Sequence, residues 1–361
     1  MLSFWLPALA GVLVTAMAIA SLRPVAFRLS LVDRPGGRKI HTSEVPVVGG
    51  LGMFLGLFVA LGVLPIEARP GVEFSAICAA FVLIGLLDDR YGLSPWFRLA
   101  VQVGAAIWLA MESGLSARFL GSLLDQQAIV LLDIPAILLT GLLVAGGVNA
   151  FNMIDGIDGL AGTMGLIAMG SMAVFAFDSG LALQMGVAMA AAGAVAAFLI
   201  FNLPLGLNRG MRCFMGDAGS MLIGFIVAWL MLNVSQTPSS GVEPAAVLFA
   251  VAIPISDLLW VFGSRLRRGQ SPFHADNSHL HHYLLKAGIS HAGALSILTA
   301  VALAMSILGM LMVEANASGF VMLGLFLLCC AILVSIIVNV DKWAKWLPAA
   351  FMVARAGEVR G

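Results

Sequence analysis

The stretch Asn149 to Leu160, NAFNMIDGIDGL, sets two asparagines and two aspartates at three-residue spacing where a long apolar segment ends. Carboxylates at the edge of a hydrocarbon layer are costly, and membrane proteins keep them there for ions, protons or substrates. Each three-residue step along an α-helix turns the side chain about 60° from the last. Asn152 and Asp155 can therefore share a face, while Asn149 and Asp158 point apart. Gly156 and Gly159 weaken a helix, which predicts a turn at the membrane surface carrying the Asp155/Asp158 pair. One Asn or Asp would serve as a polar helix cap. Four are more than a cap uses, and they predict a site.

Three other clusters have the same character. Asp88-Asp89-Arg90 ends an apolar run. Negative charge is unfavourable at the C-terminal end of a helix, and Mg²⁺ usually binds through one or two carboxylates plus substrate phosphate. Asp217 lies in FMGDAGS, between Gly216 and the small residues Ala218, Gly219 and Ser220, just before an apolar helix. It reads as a helix N-cap, and a helix N-terminus flanked by glycine is also an anion and metal-phosphate site. Arg212 and Phe214 beside it offer a charge partner and a stacking face. The loop Arg265 to Gly288 holds four of the chain's six histidines, His274, His279, His281 and His282. In a helix His279 and His282 would share a face with His281 turned away. No Cys or Glu completes a transition-metal set and HExxH is absent, so histidines beside Arg265, Arg267 and Arg268 suit phosphate recognition better. In the first loop, Arg38, Lys39 and His41 can hold an anionic group, although a basic membrane anchor accounts for them equally well.

The elements that position these residues are membrane helices. Hydrophobic residues make up 61% of 361 positions and charged residues 11%, with a mean hydropathy of +1.03. A soluble domain carries about a quarter charged residues. Windows of about 20 apolar residues give eleven candidate spans, near 4–22, 46–65, 73–87, 97–113, 134–151, 160–177, 182–201, 218–235, 244–263, 293–313 and 319–339. Basic residues alternate between the loops. Arg69 and Arg118 lie on one side and the other seventeen of nineteen on the opposite side, which the positive-inside rule makes cytoplasmic. This places the N-terminus outside, the C-terminus inside and every polar cluster on the cytoplasmic face. The first span lacks a basic n-region, so it reads as a retained span rather than a cleaved signal. The four cysteines form no CxxC pair, and neither a disulfide framework nor a zinc site is indicated. The expected architecture is all-α, one polytopic domain over residues 1–361. Asp257 falls inside the ninth span, where it either pairs with a basic residue or marks a helix break.

Taken in order, RPGGRKIH…PVVGG, DDR, NAFNMIDGIDGL, FMGDAGS and SPFHADNSHLHH resemble the polyprenyl-phosphate N-acetylhexosamine-1-phosphate transferase family over nearly the whole chain. The muropeptide branch carries a lysine-bearing DDxxK and an unbroken HHH. Here Arg90-Tyr91-Gly92 follows the aspartates and Leu280 interrupts the histidines, which favours the N-acetylglucosamine branch. The resemblance implies attack of undecaprenyl phosphate on the β-phosphorus of a UDP-N-acetylhexosamine, with Mg²⁺ or Mn²⁺ as cofactor, in the bacterial cytoplasmic membrane. It further implies that Asp217 is the direct metal ligand, with Asp88 and Asp89 near the metal and the lipid phosphate. Asn152, Asp155, Asp158 and Phe214 fall around the nucleotide, and His279, His281, His282 and Arg265 near the diphosphate and sugar. Asp88, Asp89, Asp155, Asp158 and His279 are thus the candidate catalytic residues. Asn149, Lys39 and His41 join the substrate-binding set. A homodimer is compatible with such an enzyme, and no nucleic-acid partner is implied.

Two other readings compete. A secondary transporter would carry charges halfway along its spans, yet here they gather at cytoplasmic ends, with Asp257 a partial exception. A CDP-alcohol phosphotransferase would show DGxxAR…GxxxDxxxD, but Asp155-Gly156 is followed by Ile157-Asp158-Gly159.

Overall fold

The computed structural model describes residues 2–34, 44–122, 128–203, 211–271 and 278–353. Within them the chain is helical almost throughout. The helices are α1 (Leu2–Arg28), α2 (Gly49–Val63), α3 (Val72–Tyr91), α4 (Pro95–Ser113), α5 (Asp133–Ile154), α6 (Leu160–Asp178) and α7 (Ala182–Asn202). They continue with α8 (Gly216–Gln236), α9 (Pro244–Leu248), α10 (Ala252–Arg267), α11 (Leu280–Lys286), α12 (His291–Glu314) and α13 (Gly319–Val338). The one sheet among the described residues is a pair of two-residue strands, β1 (Val32–Asp33) and β2 (Val45–Pro46), antiparallel with Val32 opposite Pro46.

Every expected span falls on helix. Among the described residues, eight helical segments are long and apolar enough to cross a bilayer, counting Pro244–Arg267 as one. The other three expected spans are α2, which has 15 residues, and α3 and α4, which carry polar ends. The protein is thus a multi-pass membrane protein, and the large apolar side chains left exposed on α1 (Trp5, Leu6, Leu9, Leu13, Met17) face where acyl chains would lie. Two boundaries differ from the sequence reading. Helix α3 runs past residue 87 to Tyr91, so Asp88 and Asp89 lie in its last turn rather than after it. The ninth span is broken: α9 gives way to a single 3₁₀ turn at Phe249–Val251 before α10 resumes.

Helix α8 is the centre. It is buried along most of its length and packs against α2, α3, α5, α6 and α7. Close approach at its amino end depends on missing side chains. A Cβ on Gly50 would lie 2.3 Å from the backbone nitrogen of Gly219, and one on Gly85 would lie 2.2 Å from that of Ala218. Membrane helices have little hydrophobic drive toward each other, so small residues at the contact supply association through packing. Backbone pairing completes the junction: Phe214 N–H donates to Pro46 (2.9 Å), Gly49 N–H to Phe214 (2.9 Å) and Gly50 N–H to Met215 (3.0 Å).

Gly85→Ala puts a methyl against backbone that cannot rotate away, and overpacking of this kind costs about 1–3 kcal/mol. Thermal unfolding in detergent should show that loss, whereas Gly104→Ala, with open space around its Cβ position, should be neutral. Equal stability of the two variants would mean that α3 and α8 do not meet as described.

Candidate active site

The amino end of α8, the last turn of α3 and the end of α5 bring three of the four polar clusters together. Asp217 is not the N-cap. Helix α8 starts one residue earlier with Met215 as its cap residue, and Asp217 sits in the first turn. The capping oxygen comes from another helix: the Asp217 N–H donates to Asp89 Oδ1 at 2.9 Å. This leaves the Asp217 side chain free to be used. Its Oδ1 accepts from Asn152 Nδ2 at 2.6 Å, and its Oδ2 lies 3.5 Å from the Arg98 guanidinium. The same Asn152 nitrogen is 3.0 Å from Ser220 Oγ.

The adjacent aspartates of α3 part company. Asp88 is buried, pairs with Arg98, and takes the Leu93 N–H on Oδ1 at 2.6 Å, which closes the end of α3. Asp89 faces α8. Arg98, on α4, therefore joins Asp88 to Asp217, a role that nothing in the local sequence announces.

The turn expected between α5 and α6 is present. Asp155 caps α5, the Gly156 N–H donates to Ile154 at 2.7 Å, and Gly159 (φ 80°) precedes α6. Buried Asn202 at the end of α7 fixes this turn, accepting from the Gly159 N–H at 2.6 Å and donating to Cys213 O at 3.0 Å. Asp158 pairs with Arg212, whose guanidinium lies 5.1 Å from the centroid of the Phe214 ring. Asp155 is exposed at its surface, with Gly156 beside it packed against His281. Desolvation there, with repulsion from Asp158 and Asp89, pushes its carboxyl up to about 7.

The histidine cluster packs against this turn. His279 precedes α11 as its N-cap residue rather than lying within the helix. The expectation that His281 turns away is therefore wrong: all three rings cluster, with centroids 5.7 Å (His279–His281), 5.9 Å (His279–His282) and 4.2 Å (His281–His282) apart. His281 is buried, and burial with its two neighbouring imidazoles pulls it down to about 2, so it is a neutral ring. A Cβ on Gly156 would lie 2.3 Å from His281 Nε2, so the turn and the cluster touch. Arg265 is buried at the end of α10. Asp257 pairs with His279, which answers its placement inside a span.

Not every expected residue joins the cleft. The Asn149 amide donates to Gln102 on α4 at 2.6 Å and to Ala145 O at 2.8 Å, a link between helices α4 and α5. Lys39 and His41 lie outside the described residues.

Among the described residues no three His, Cys, Asp or Glu side chains form a ready metal cage. The donor set nonetheless fits a hard divalent cation. Asp217, Asp89 and Asp155 offer carboxylate oxygens, and desolvation, followed by repulsion from Asp158 and Asp89, pushes the Asp155 carboxyl up. Mg²⁺ takes one or two protein carboxylates and completes its shell with water and phosphate, so a full protein cage is not required. Beside the cleft, an apolar cavity of about 380 Å³ opens between α5, α8 and the α9–α10 segment. It runs from Ala150 and Phe151, next to Asn152, to Phe119 and Gln236 at the far ends of the helices.

Residues 72–235 match the family described as glycosyl transferase family 4. Over 311 residues the chain is 35% identical to the undecaprenyl-phosphate alpha-N-acetylglucosaminyl 1-phosphate transferase of Yersinia pestis, covering 85% of this chain and 84% of the relative. The protein of the same name from Salmonella typhi is 36% identical over 324 residues, and that of Escherichia coli (strain K12) 32% identical over 317, each covering 88% of this chain and 86% of the relative. Similarity of this extent reaches through every cluster just described, and the chain belongs to glycosyl transferase family 4.

Proposed function

We propose that this protein transfers N-acetylglucosamine 1-phosphate from UDP-N-acetylglucosamine to undecaprenyl phosphate. The products are undecaprenyl-diphospho-N-acetylglucosamine and UMP, the first lipid-linked step of a cell-surface polysaccharide. One juxtaposition carries the reading: an acidic cleft at the helix ends lies beside an apolar cavity whose walls run inward from the same place. Along α5 the cavity extends from Phe151 to Leu139, about 18 Å at 1.5 Å per residue, which suits a long isoprenoid whose phosphate emerges among the aspartates. The names of the relatives support undecaprenyl phosphate as the acceptor and N-acetylglucosamine 1-phosphate as the group transferred.

In the reaction an oxygen of the lipid phosphate attacks the β-phosphorus of the nucleotide sugar. The bond from that phosphorus to the bridging oxygen breaks, and UMP leaves with the electron pair. Both partners are anionic at the reacting centre, so positioning and charge neutralisation do most of the work. A phosphate monoester has a second pKa of about 6, so the acceptor is already largely dianionic and needs no strong base. Asp217, Asp89 and Asp155 are the residues that would hold Mg²⁺ or Mn²⁺, which supplies charge neutralisation for the phosphates when bound. Arg98 keeps Asp88 paired and restrains Asp217. Phe214 offers the nucleotide a ring, with Arg212 held against it by Asp158. His279, His281, His282 and Arg265 meet the diphosphate and sugar from the opposite wall. The uneven distribution of basic residues between the loops supports a cleft on the cytoplasmic face of the bacterial inner membrane, with an odd number of spans and the N-terminus outside.

The purified protein should release UMP from UDP-N-acetylglucosamine only when polyprenyl phosphate is present. Asp217→Asn, which keeps shape but removes charge, should lower turnover by at least about 100-fold while the protein stays folded. Release of UMP by that variant at the wild-type rate would remove Asp217 from the site.

Asp155 provides a pH test. Its folded-state carboxyl titrates near 7 against an ordinary value of 3.8. Between those values the folded protein holds a proton that the unfolded chain has released, so stability declines as pH rises through that window. In metal-free buffer at about pH 8, Asp155→Asn should raise the melting temperature by about 2–4 °C, with little change near pH 4. An unchanged melting temperature at both values would mean that Asp155 is well solvated.

Reporter fusions within Ser235–Pro244 should read external, and fusions after Gly361 should read cytoplasmic. A cytoplasmic signal from the first would invert the topology.

A further inference from the structure

Asp257 lies on α10 and is 1% exposed, in the middle of an apolar helix. A buried carboxylate is costly unless hydrogen bonds meet its charge. Both of its oxygens have partners, and both partners come from the start of α11. Oδ1 accepts the backbone N–H of Leu280 at 2.6 Å, and Oδ2 lies 2.7 Å from Nδ1 of His279. An ionised carboxylate can only accept, so the second contact requires a proton on Nδ1. That fixes which nitrogen of His279 is left for other partners: Nε2. The His279 ring in turn lies nearly parallel to His281, 17° apart, and edge-on to His282. One carboxylate thus holds the ring and the first turn of the helix behind it.

We propose that Asp257 is a positioning residue, which holds His279 with Nδ1 protonated and Nε2 presented to the diphosphate of the substrates. The role in turnover rests on the transferase reading above; the pairing does not. The same logic operates in the serine-protease triad, where a buried aspartate sets the tautomer of its histidine without touching substrate.

Asp257→Asn separates this role from simple packing. The amide keeps the size of the carboxylate and an oxygen for the Leu280 N–H. Its NH₂ then faces His279 Nδ1, which must become an acceptor, and the ring proton moves to Nε2. Spectra of the full-length protein with ¹⁵N-labelled histidine, at about pH 9 where ordinary imidazoles are neutral, read this directly, with His279→Gln assigning the signal. The wild type should show Nδ1 protonated, and Asp257→Asn should show it unprotonated. An unprotonated Nδ1 in the wild type overturns the proposal, whether or not the protein is active and whether or not the variant folds.

Kinetics provide the second arm. Asp257→Asn should lower kcat by about 100-fold, the scale of a misplaced catalytic group, and leave KM for polyprenyl phosphate unchanged. Combining it with His279→Gln should cost no more than His279→Gln alone, because residues acting as one unit are not additive. Losses that multiply would show that Asp257 acts independently of His279, and the proposal fails. If the wild type releases no UMP, the transferase reading falls and the spectra still decide the pairing.

Discussion

Asp217 is a carboxylate in the first turn of a helix buried along most of its length, and the surrounding helices bring polar groups to meet it there. Helix α8 contributes the positive end of its own dipole. The rest comes from elsewhere: the Asn152 amide from α5, the Arg98 guanidinium from α4, and Asp89 of α3 capping the backbone so that the Asp217 oxygens are not consumed in capping. Helices can converge on one turn only if backbones come close, and Gly50 on α2 and Gly85 on α3 permit that. The packing of small residues around α8 and the chemistry at its end are therefore one requirement.

Much of this was legible in the chain because the bilayer simplifies the reading. Hydrocarbon forces backbone groups into helices, so apolar length translates directly into elements. All the segments expected to span are helical, and the turn at Asp155–Gly159 lies where two glycines and two aspartates interrupt the apolar run. Charged residues at helix ends had no core to satisfy, and four clusters stood out for that reason. Arg212 beside Phe214 was visible as a local pair because only Cys213 separates them.

What stayed hidden is of one kind. Asn149 reads like Asn152, yet its amide is spent on Gln102, 47 residues away, whereas Asn152 reaches Asp217. Arg98 looks like one more basic anchor, and Asn202 like the end of a helix. Each acts through a partner more than ten residues off or across a helix interface, and no periodicity encodes such a choice. The histidines failed for a local reason. Helical spacing assigns them to two faces, but His279 stands outside the helix with extended backbone (φ −71°, ψ 150°), so the spacing rule stops one residue before it applies. The position of Asp217 failed similarly, since a capping oxygen supplied by a different helix removes the need for a local one.

Helix α10 connects the two halves of the site. Pro254, Ile255 and Leu258 line the apolar cavity, while Asp257 points its carboxylate at the start of α11. Successive residues of a helix differ by about 100°, so one short segment can meet hydrocarbon on one side and the histidine cluster on another. The 3₁₀ turn at Phe249–Val251 matters here, because it sets the azimuth from which α10 restarts and thus which residues face which way. A continuous helix from Pro244 would carry those side chains round by a different angle. The same few residues of α10 thus wall the apolar cavity on one side and hold the His279 ring on another.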